Sequence, residues 1–166
     1  MFIISFNTLY TRSTHIFSPG DAVPFDFTTS GTPASIHIDG VDRTKVNIET
    51  AGFYHVQYTL STVTMFDSPP PPALAPKIDD FFHMYRIELT DSTGTYVIPE
   101  SSAVNQALRG PLSFKFSQLT NSFILRVVRN HSYIQLRTTS GGQISNAISF
   151  NFTNPVSAAV LTLSKV

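Results

Sequence analysis

Residues 51–61 read AGFYHVQYTLS. After the glycine, Tyr54, Val56, Tyr58 and Leu60 fall on one side of a period-two alternation, and Phe53, His55, Gln57 and Thr59 on the other. Strict alternation is the signature of a β-strand with one buried face. The second face is unusual, because it mixes a ring, an imidazole and an amide and carries no Asp, Glu, Lys or Arg. The first face belongs in a core; the second meets a neighbouring subunit or solvent.

Working outward, the same alternation recurs along the chain, whereas helical spacing of apolar residues is hard to find. The chain therefore reads as all-β. Candidate strands are 2–7, 22–28, 34–38, 44–49, 53–63, 81–90, 95–98, 112–118, 123–129, 133–138, 147–153 and 156–165. Between them lie SPGD at 18–21, SGTP at 30–33, DG at 39–40, DSTG at 91–94, RGP at 109–111, SGG at 140–142 and NP at 154–155. Each can turn the chain through Gly freedom, Pro restriction or an Asx side-chain bond. The segment DSPPPPALAPK, 67–77, cannot donate hydrogen bonds at its prolines and reads as a stiff polyproline surface loop. A proline-recognition ligand is the functional alternative for that loop.

The 166 residues suit a single domain, 1–166. Phe occurs 14 times, and charged residues make up only 13% of the chain, about half the usual share. The surface must then be built largely from Ser, Thr, Asn and Gln. Eleven basic and eleven acidic residues cancel, so no net field draws nucleic acid or anionic lipid. There is no cysteine, hence neither a disulfide framework nor a thiolate site. The opening MFIISF has no basic leader and is too short for a signal-peptide core. It reads as a strand, so display outside a cell would use a route other than a classical signal. No apolar run approaches the roughly 20 residues that span a bilayer, and membrane insertion is not expected.

Two segments lack a polar face. In VSAAVLTL, 156–163, Val156, Ala158 and Val160 alternate with Ala159, Leu161 and Leu163; residues 2–4, FII, behave alike. A strand that is apolar on both sides needs cover on both sides. The termini therefore read as neighbouring strands at a subunit interface.

Three stretches together resemble a known family: SPGDAVPFDF at 18–27, TKVNIETAGFYHVQYTLS at 44–61 and NPVSAAVLTLSKV at 154–166. They are similar to the C-terminal domain of collagen-like exosporium glycoproteins of bacillus-type spores, within the tumour-necrosis-factor/complement-globular-head superfamily. FSQLTNSFILRVVRN and YIQLRT before a Ser/Gly turn resemble its late strands, so the likeness runs from about Gly20 to Val166. Two departures from the family pattern stand out: the 166 residues hold no collagen repeat, as in an excised domain or a family member without a stalk, and the proline loop lengthens one connection. The resemblance implies a ten-stranded jelly-roll β-sandwich packed as a homotrimer. Its interface residues here would be Phe2, Ile4, Phe53, His55, Gln57, Val156, Ala158 and Val160. It also implies a spore-surface or extracellular location, with other spore-surface proteins or host-surface ligands as partners.

Enzymatic chemistry finds little support. The histidines at 15, 37, 55, 83 and 131 show no HExxH spacing. His37 with Asp39, or His83 with Asp79 and Asp80, could join a metal site, but neither spacing is diagnostic. GxSxG, GxxxxGK[ST] and GxGxxG are all absent. Asp26, Asp39, Asp42, Glu49, Asp79, Asp80, Glu88, Asp91 and Glu100 read as turn caps and solvated faces. No catalytic residue, metal or cofactor is assigned. The expected function is a non-catalytic structural or surface-display module; a receptor- or carbohydrate-binding head of a phage or viral fibre or adhesin is the second reading.

Overall fold

A computed structural model describes residues 6–28, 35–65, 81–107, 114–140, 142–144 and 158–166. The proline loop at 67–77 and the expected strand at 147–153 lie outside these residues. Two antiparallel sheets face one another. The front sheet contains β1 (Phe6–Thr11), β2 (His15–Phe17), β3 (Phe27–Thr28), β6 (Gly52–Met65), β10 (Phe114–Val127), β12 (Gly142–Ile144) and β13 (Ala159–Lys165). The back sheet contains β4 (Ile36–Ile38), β5 (Val46–Ile48), β7 (Phe81–Asp91), β8 (Gly94–Val97), β9 (Ala103–Ala107) and β11 (Ser132–Thr138).

The stretch 51–61 opens β6, the centre of the front sheet. β10 pairs with β6 over its whole length on one side. On the other side, β13 pairs with residues 54–60 and β12 with Val63 and Thr62. β13 then pairs with β1, Leu9 opposite Leu161, and β1 with β3. The chain's first and last described strands are thus hydrogen-bonded neighbours.

Alternation translates directly into packing here. Tyr54, Val56, Tyr58 and Leu60 are fully buried, as are Leu161 and Leu163 of β13 and Leu9 of β1. They meet Ile36, Val46, Ile48, Tyr85, Ile87, Ile134 and Leu136 of the back sheet. Burying such side chains is worth about 1.5–3 kcal/mol each relative to exposure. The Tyr58 hydroxyl donates to the Ser101 carbonyl across the core at 2.5 Å. Burial pushes the Tyr58 and Tyr85 phenols up to about 12, so both stay neutral and the core holds no titrating group of theirs near neutral pH. Gly52 has φ +154°, and a Cβ there would come within 2.7 Å of the Lys165 side chain. That lysine donates to Thr50 Oγ1 at 3.0 Å and lies 5.8 Å from the Tyr54 ring, so the glycine lets the end of β13 close over the start of β6.

Two expectations change. Residues 112–118 and 123–129 read as separate strands, yet β10 runs unbroken from Phe114 to Val127. The polar QLTNS conceals a continuing alternation, in which Leu119, Phe123, Leu125 and Val127 point inward and Asn121 takes the inward place between them. Its amide donates to the Glu100 and Ser102 carbonyls at 3.0 and 3.2 Å, around the 3-10 turn Pro99–Ser101. An inward polar side chain is tolerated because it is paired. Residues 22–28 read as one strand and are a sheet-crossing corner instead. Val23 N–H donates to Leu136 of the back sheet and Asp26 N–H to Tyr10 of the front sheet, so only Phe27–Thr28 joins a ladder. Val23 and Phe25 are nevertheless fully buried, which accounts for the apolar alternation read there.

Candidate assembly face

The outward residues of β10, β6, β13 and β1 form cross-strand rows. Arg126 lies opposite Phe53; Ile124 opposite His55, and His55 opposite Ser164. The next row is Ser122, Gln57, Thr162 and Thr8, and the next Thr120, Thr59, Val160, Tyr10 and Phe27. Arg126 and, past the end of β1, Arg12 are the charged side chains at its margins. Among the described residues no Asp or Glu side chain lies on these rows.

Hydroxyls lace the face together. Thr8 and Thr162 are 3.3 Å apart through Oγ1, Thr59 and Thr120 3.2 Å, and His55 Nε2 lies 2.7 Å from Ser122 Oγ. Such pairs satisfy polar groups within the sheet, leaving a surface that can be dehydrated at low cost. Phe53 and Ile124 project from it at 54% and 56% exposure. At the β3 edge, Tyr10 stacks on Phe27 with centroids 5.4 Å apart, and the Arg12 guanidinium sits 5.4 and 5.6 Å from the two rings.

Of the residues expected at an interface, Phe53, His55, Gln57 and Val160 lie together on this face. Phe2, Ile4 and Val156 lie outside the described residues. Ala158 does not reach the face. It is fully buried, its N–H donating to Thr11 and its carbonyl accepting from Ser61, because the alternation of β13 starts only at Ala159. Sequence reasoning missed Ile124 and Ser122, since it left Ser122 in a gap between two strands and treated the strand holding Ile124 separately; the odd-numbered series Leu119, Phe123, Leu125 and Val127, interrupted only by Asn121, was the available signal.

The carboxylates go elsewhere. Asp39 accepts from the Asp42 and Val41 amides at 2.8 and 2.9 Å, and these bonds, with Asn47, hold its carboxyl down to about 2. Asp42 is lowered chiefly by the Thr44 hydroxyl, and Asp91 chiefly by the Thr93 side chain. On the back sheet, Glu88 bridges Arg86 and Arg137, each at 2.9 Å. The Arg137 Nε approach is off the hydrogen-bond direction, so that contact is ionic. The His55–Ser122 pair resembles a base beside a nucleophile, but among the described residues no carboxylate stands behind the imidazole to orient it. His37 sits 3.3 Å from Asn47, which also donates to Asp39; Asp79 and Asp80 lie outside the described residues. Among the described residues no group of three His, Cys, Asp or Glu is placed to hold a metal ion, and no helix is long and apolar enough to cross a membrane.

Comparison with solved structures places this architecture. Murine APRIL at pH 5.0 superposes with a TM-score of 0.66 at 8% identity, covering 99% of this chain and 100% of that one. An Eiger TNF from S. frugiperda gives 0.65 at 10% identity, over 98% and 92%. The fold is the tumour-necrosis-factor-like jelly roll. The globular domain of zebrafish complement 1qA shares that jelly roll at a TM-score of 0.55 and 8% identity, over 98% and 95%. At these identities the likeness is one of fold. No family model and no curated protein matches the sequence. Within the TNF-like jelly roll, the candidate face is the outer side of the sheet that contains both β1 and β13.

Proposed function

We propose that this chain is a non-catalytic homotrimeric module that assembles through the outer face of the front sheet and serves as a surface-display or binding head outside the cell. The observation that carries the proposal is the contrast in charge. The face bearing Phe53, His55, Gln57 and Val160 is hydroxyl-laced and free of carboxylates across β10, β6, β13 and β1, while the back sheet is studded with ion pairs. Interface centres are depleted in charge and enriched in aromatic residues. Phe2, Ile4 and Val156 extend the proposed contact by their place in the chain just ahead of β1 and β13. A closed threefold ring is heterologous, so it needs a second patch as well. Met84 and Val104, register partners at the back-sheet edge with 36% and 53% exposure, supply one. Location on a spore exosporium is the narrower form of the proposal and rests on the sequence resemblance.

Light scattering after size exclusion, over a dilution series, tests this directly. The expected mass is three times 18.3 kDa; a protomer mass at every concentration overturns the proposal. The stacked Tyr10–Phe27 pair under Arg12 favours a second reading, a carbohydrate-binding head, because an aromatic platform beside a polar group suits a sugar ring. Glycan-array binding that disappears in Phe27→Ala would support that reading, and a blank array would remove it.

A further inference from the structure

We infer that the Tyr10–Phe27 platform with Arg12 selects acidic sugars, taking a pyranose ring on the aromatic surface and its carboxylate on the guanidinium; the inference rests on the carbohydrate-binding reading given above. β1 meets β3 with Tyr10 opposite Phe27, at the last strand of the front sheet. The two rings stack with centroids 5.4 Å apart and planes 23° from parallel. Phe27 keeps 46% of its surface exposed, so part of the platform is open to a ligand. The C–H face of a pyranose is apolar and matches such a surface, while its polar edge needs a few placed partners.

Arg12 makes the platform selective. Its guanidinium lies 5.4 Å from the Tyr10 centroid and 5.6 Å from the Phe27 centroid, drawn to the negative faces of both rings. Among the described residues it has no hydrogen-bond or ion-pair partner. Asp26, next to Phe27 in the chain, is engaged elsewhere. Its Oδ2 accepts from the Thr11 hydroxyl at 2.7 Å, and its Oδ1 faces Arg43 at 3.4 Å. The Arg12 charge is thus met by ring faces and not by a carboxylate of the protein. A guanidinium offers a planar fork of donors, the shape that a planar carboxylate accepts in two parallel hydrogen bonds.

The arrangement is fixed from the buried side. Thr11 is fully buried, and its hydroxyl, besides donating to Asp26, accepts the Ser13 N–H at 3.3 Å. The Asp26 N–H donates to the Tyr10 carbonyl at 3.1 Å. The residues on either side of Arg12 and the residue before Phe27 are therefore fastened to one another. Cation and rings are in place before a ligand arrives, which spares part of the ordering cost of binding. A guanidinium that only shielded an edge strand would give no preference among sugars.

Saturation-transfer NMR titrations of the full chain with lactose, sialyllactose and sulfated lactose provide the test, because the three share one neutral core and differ in the anion. Sialyllactose is expected to bind about tenfold more tightly than lactose, the worth of one charge-assisted pair. It should also bind more tightly than sulfated lactose, whose anion is not planar. Arg12→Gln should remove the difference between sialyllactose and lactose. Arg129→Gln, which takes an equal charge from the 128–131 turn, should leave that difference intact. Phe27→Ala and the milder Phe27→Leu should each lose all three sugars, with circular dichroism showing the fold retained.

Equal affinity for lactose and sialyllactose, or tighter binding of the sulfated sugar, overturns this inference and leaves the carbohydrate reading standing. So does an acid preference that survives Arg12→Gln or is lost in Arg129→Gln. No signal from any of the three sugars overturns both, as does binding that persists in both Phe27 variants.

Discussion

The two sheets share one core but turn different chemistry outward. Along β6 and β13 the outward positions are Phe53, His55, Gln57, Thr59, Val160, Thr162 and Ser164, with no Asp, Glu, Lys or Arg among them. Along β11 and β7 they are Tyr133, Gln135, Arg137, Arg86, Glu88 and Thr90. Both sets are cross-linked, but by different means. Hydroxyls link the front, as in Thr8–Thr162; ions link the back, where Glu88 holds two guanidiniums and Gln135 takes an Arg137 hydrogen bond at 2.7 Å. Ionic links work beside water and become costly when dehydrated, since stripping water from charges can exceed their mutual attraction. Hydroxyl links lose little on dehydration. The difference teaches which face can be covered by another protein.

A matched pair of substitutions gives the sharpest challenge to that contrast. Thr162 on the front and Thr95 on the back each face a partner threonine across a strand pair, Thr8 and Thr90 respectively. Thr162→Asp should cost about 3–5 kcal/mol per copy in assembly, the penalty for an unpaired buried charge, and should leave protomers in solution. Thr95→Asp should change stability by no more than about 0.5 kcal/mol and leave the mass alone. Light scattering on both proteins decides the matter; dissociation by Thr95→Asp alone would exchange the roles of the two faces.

Glu88→Gln is expected to have a smaller effect. It strands Arg86 and Arg137, which are direct register partners, without their shared anion. The expected loss is about 1–2 kcal/mol of folding stability, the range for a charged hydrogen bond discounted for partial exposure. It should shrink in high salt and leave the oligomeric mass unchanged. Chemical denaturation at two salt concentrations measures it, and a change of mass instead would make the back sheet part of the interface.

The smallest expected effect lies in the exposed 39–42 turn beyond β4. The Asp39 carboxyl is held down to about 2 from 3.8 by the Asp42 and Val41 amides and by Asn47. Its contribution is therefore present above about pH 4 and is lost as the pH falls through about 2. Asp39→Asn should flatten that limb of the stability profile. It should leave the oligomeric mass unchanged, which separates the chemistry of the back-sheet turn from that of the front face.

Much of this was legible in the sequence because β alternation is a local property. Tyr54, Val56, Tyr58 and Leu60 announce a buried face wherever the strand ends up, and the uncharged set at 53, 55 and 57 announces an outer face of unusual character. The corner at 22–28 was not legible, because its alternation of Val23 and Phe25 matches that of a strand. Only the switch of hydrogen-bond partner from Leu136 to Tyr10 reveals a crossing between sheets. Ala158 shares the parity of Val160 but lies inside for a related reason: alternation of faces holds only within a strand, and Ala158 precedes the first residue of β13.

By itself, then, the sequence determined that the chain is all-β, that its core is aromatic and branched-aliphatic, and that one strand face is free of charge. Side-chain period and polarity carry that information residue by residue. Tertiary structure alone decided which strands became neighbours. It joined Ile124, Ser122, His55 and Ser164, drawn from three distant segments, into one uncharged surface, and it gathered Arg86, Glu88 and Arg137 on the opposite side. Pairing partners depend on long-range register, which is set by how two faces fill a common core rather than by any local preference of the chain.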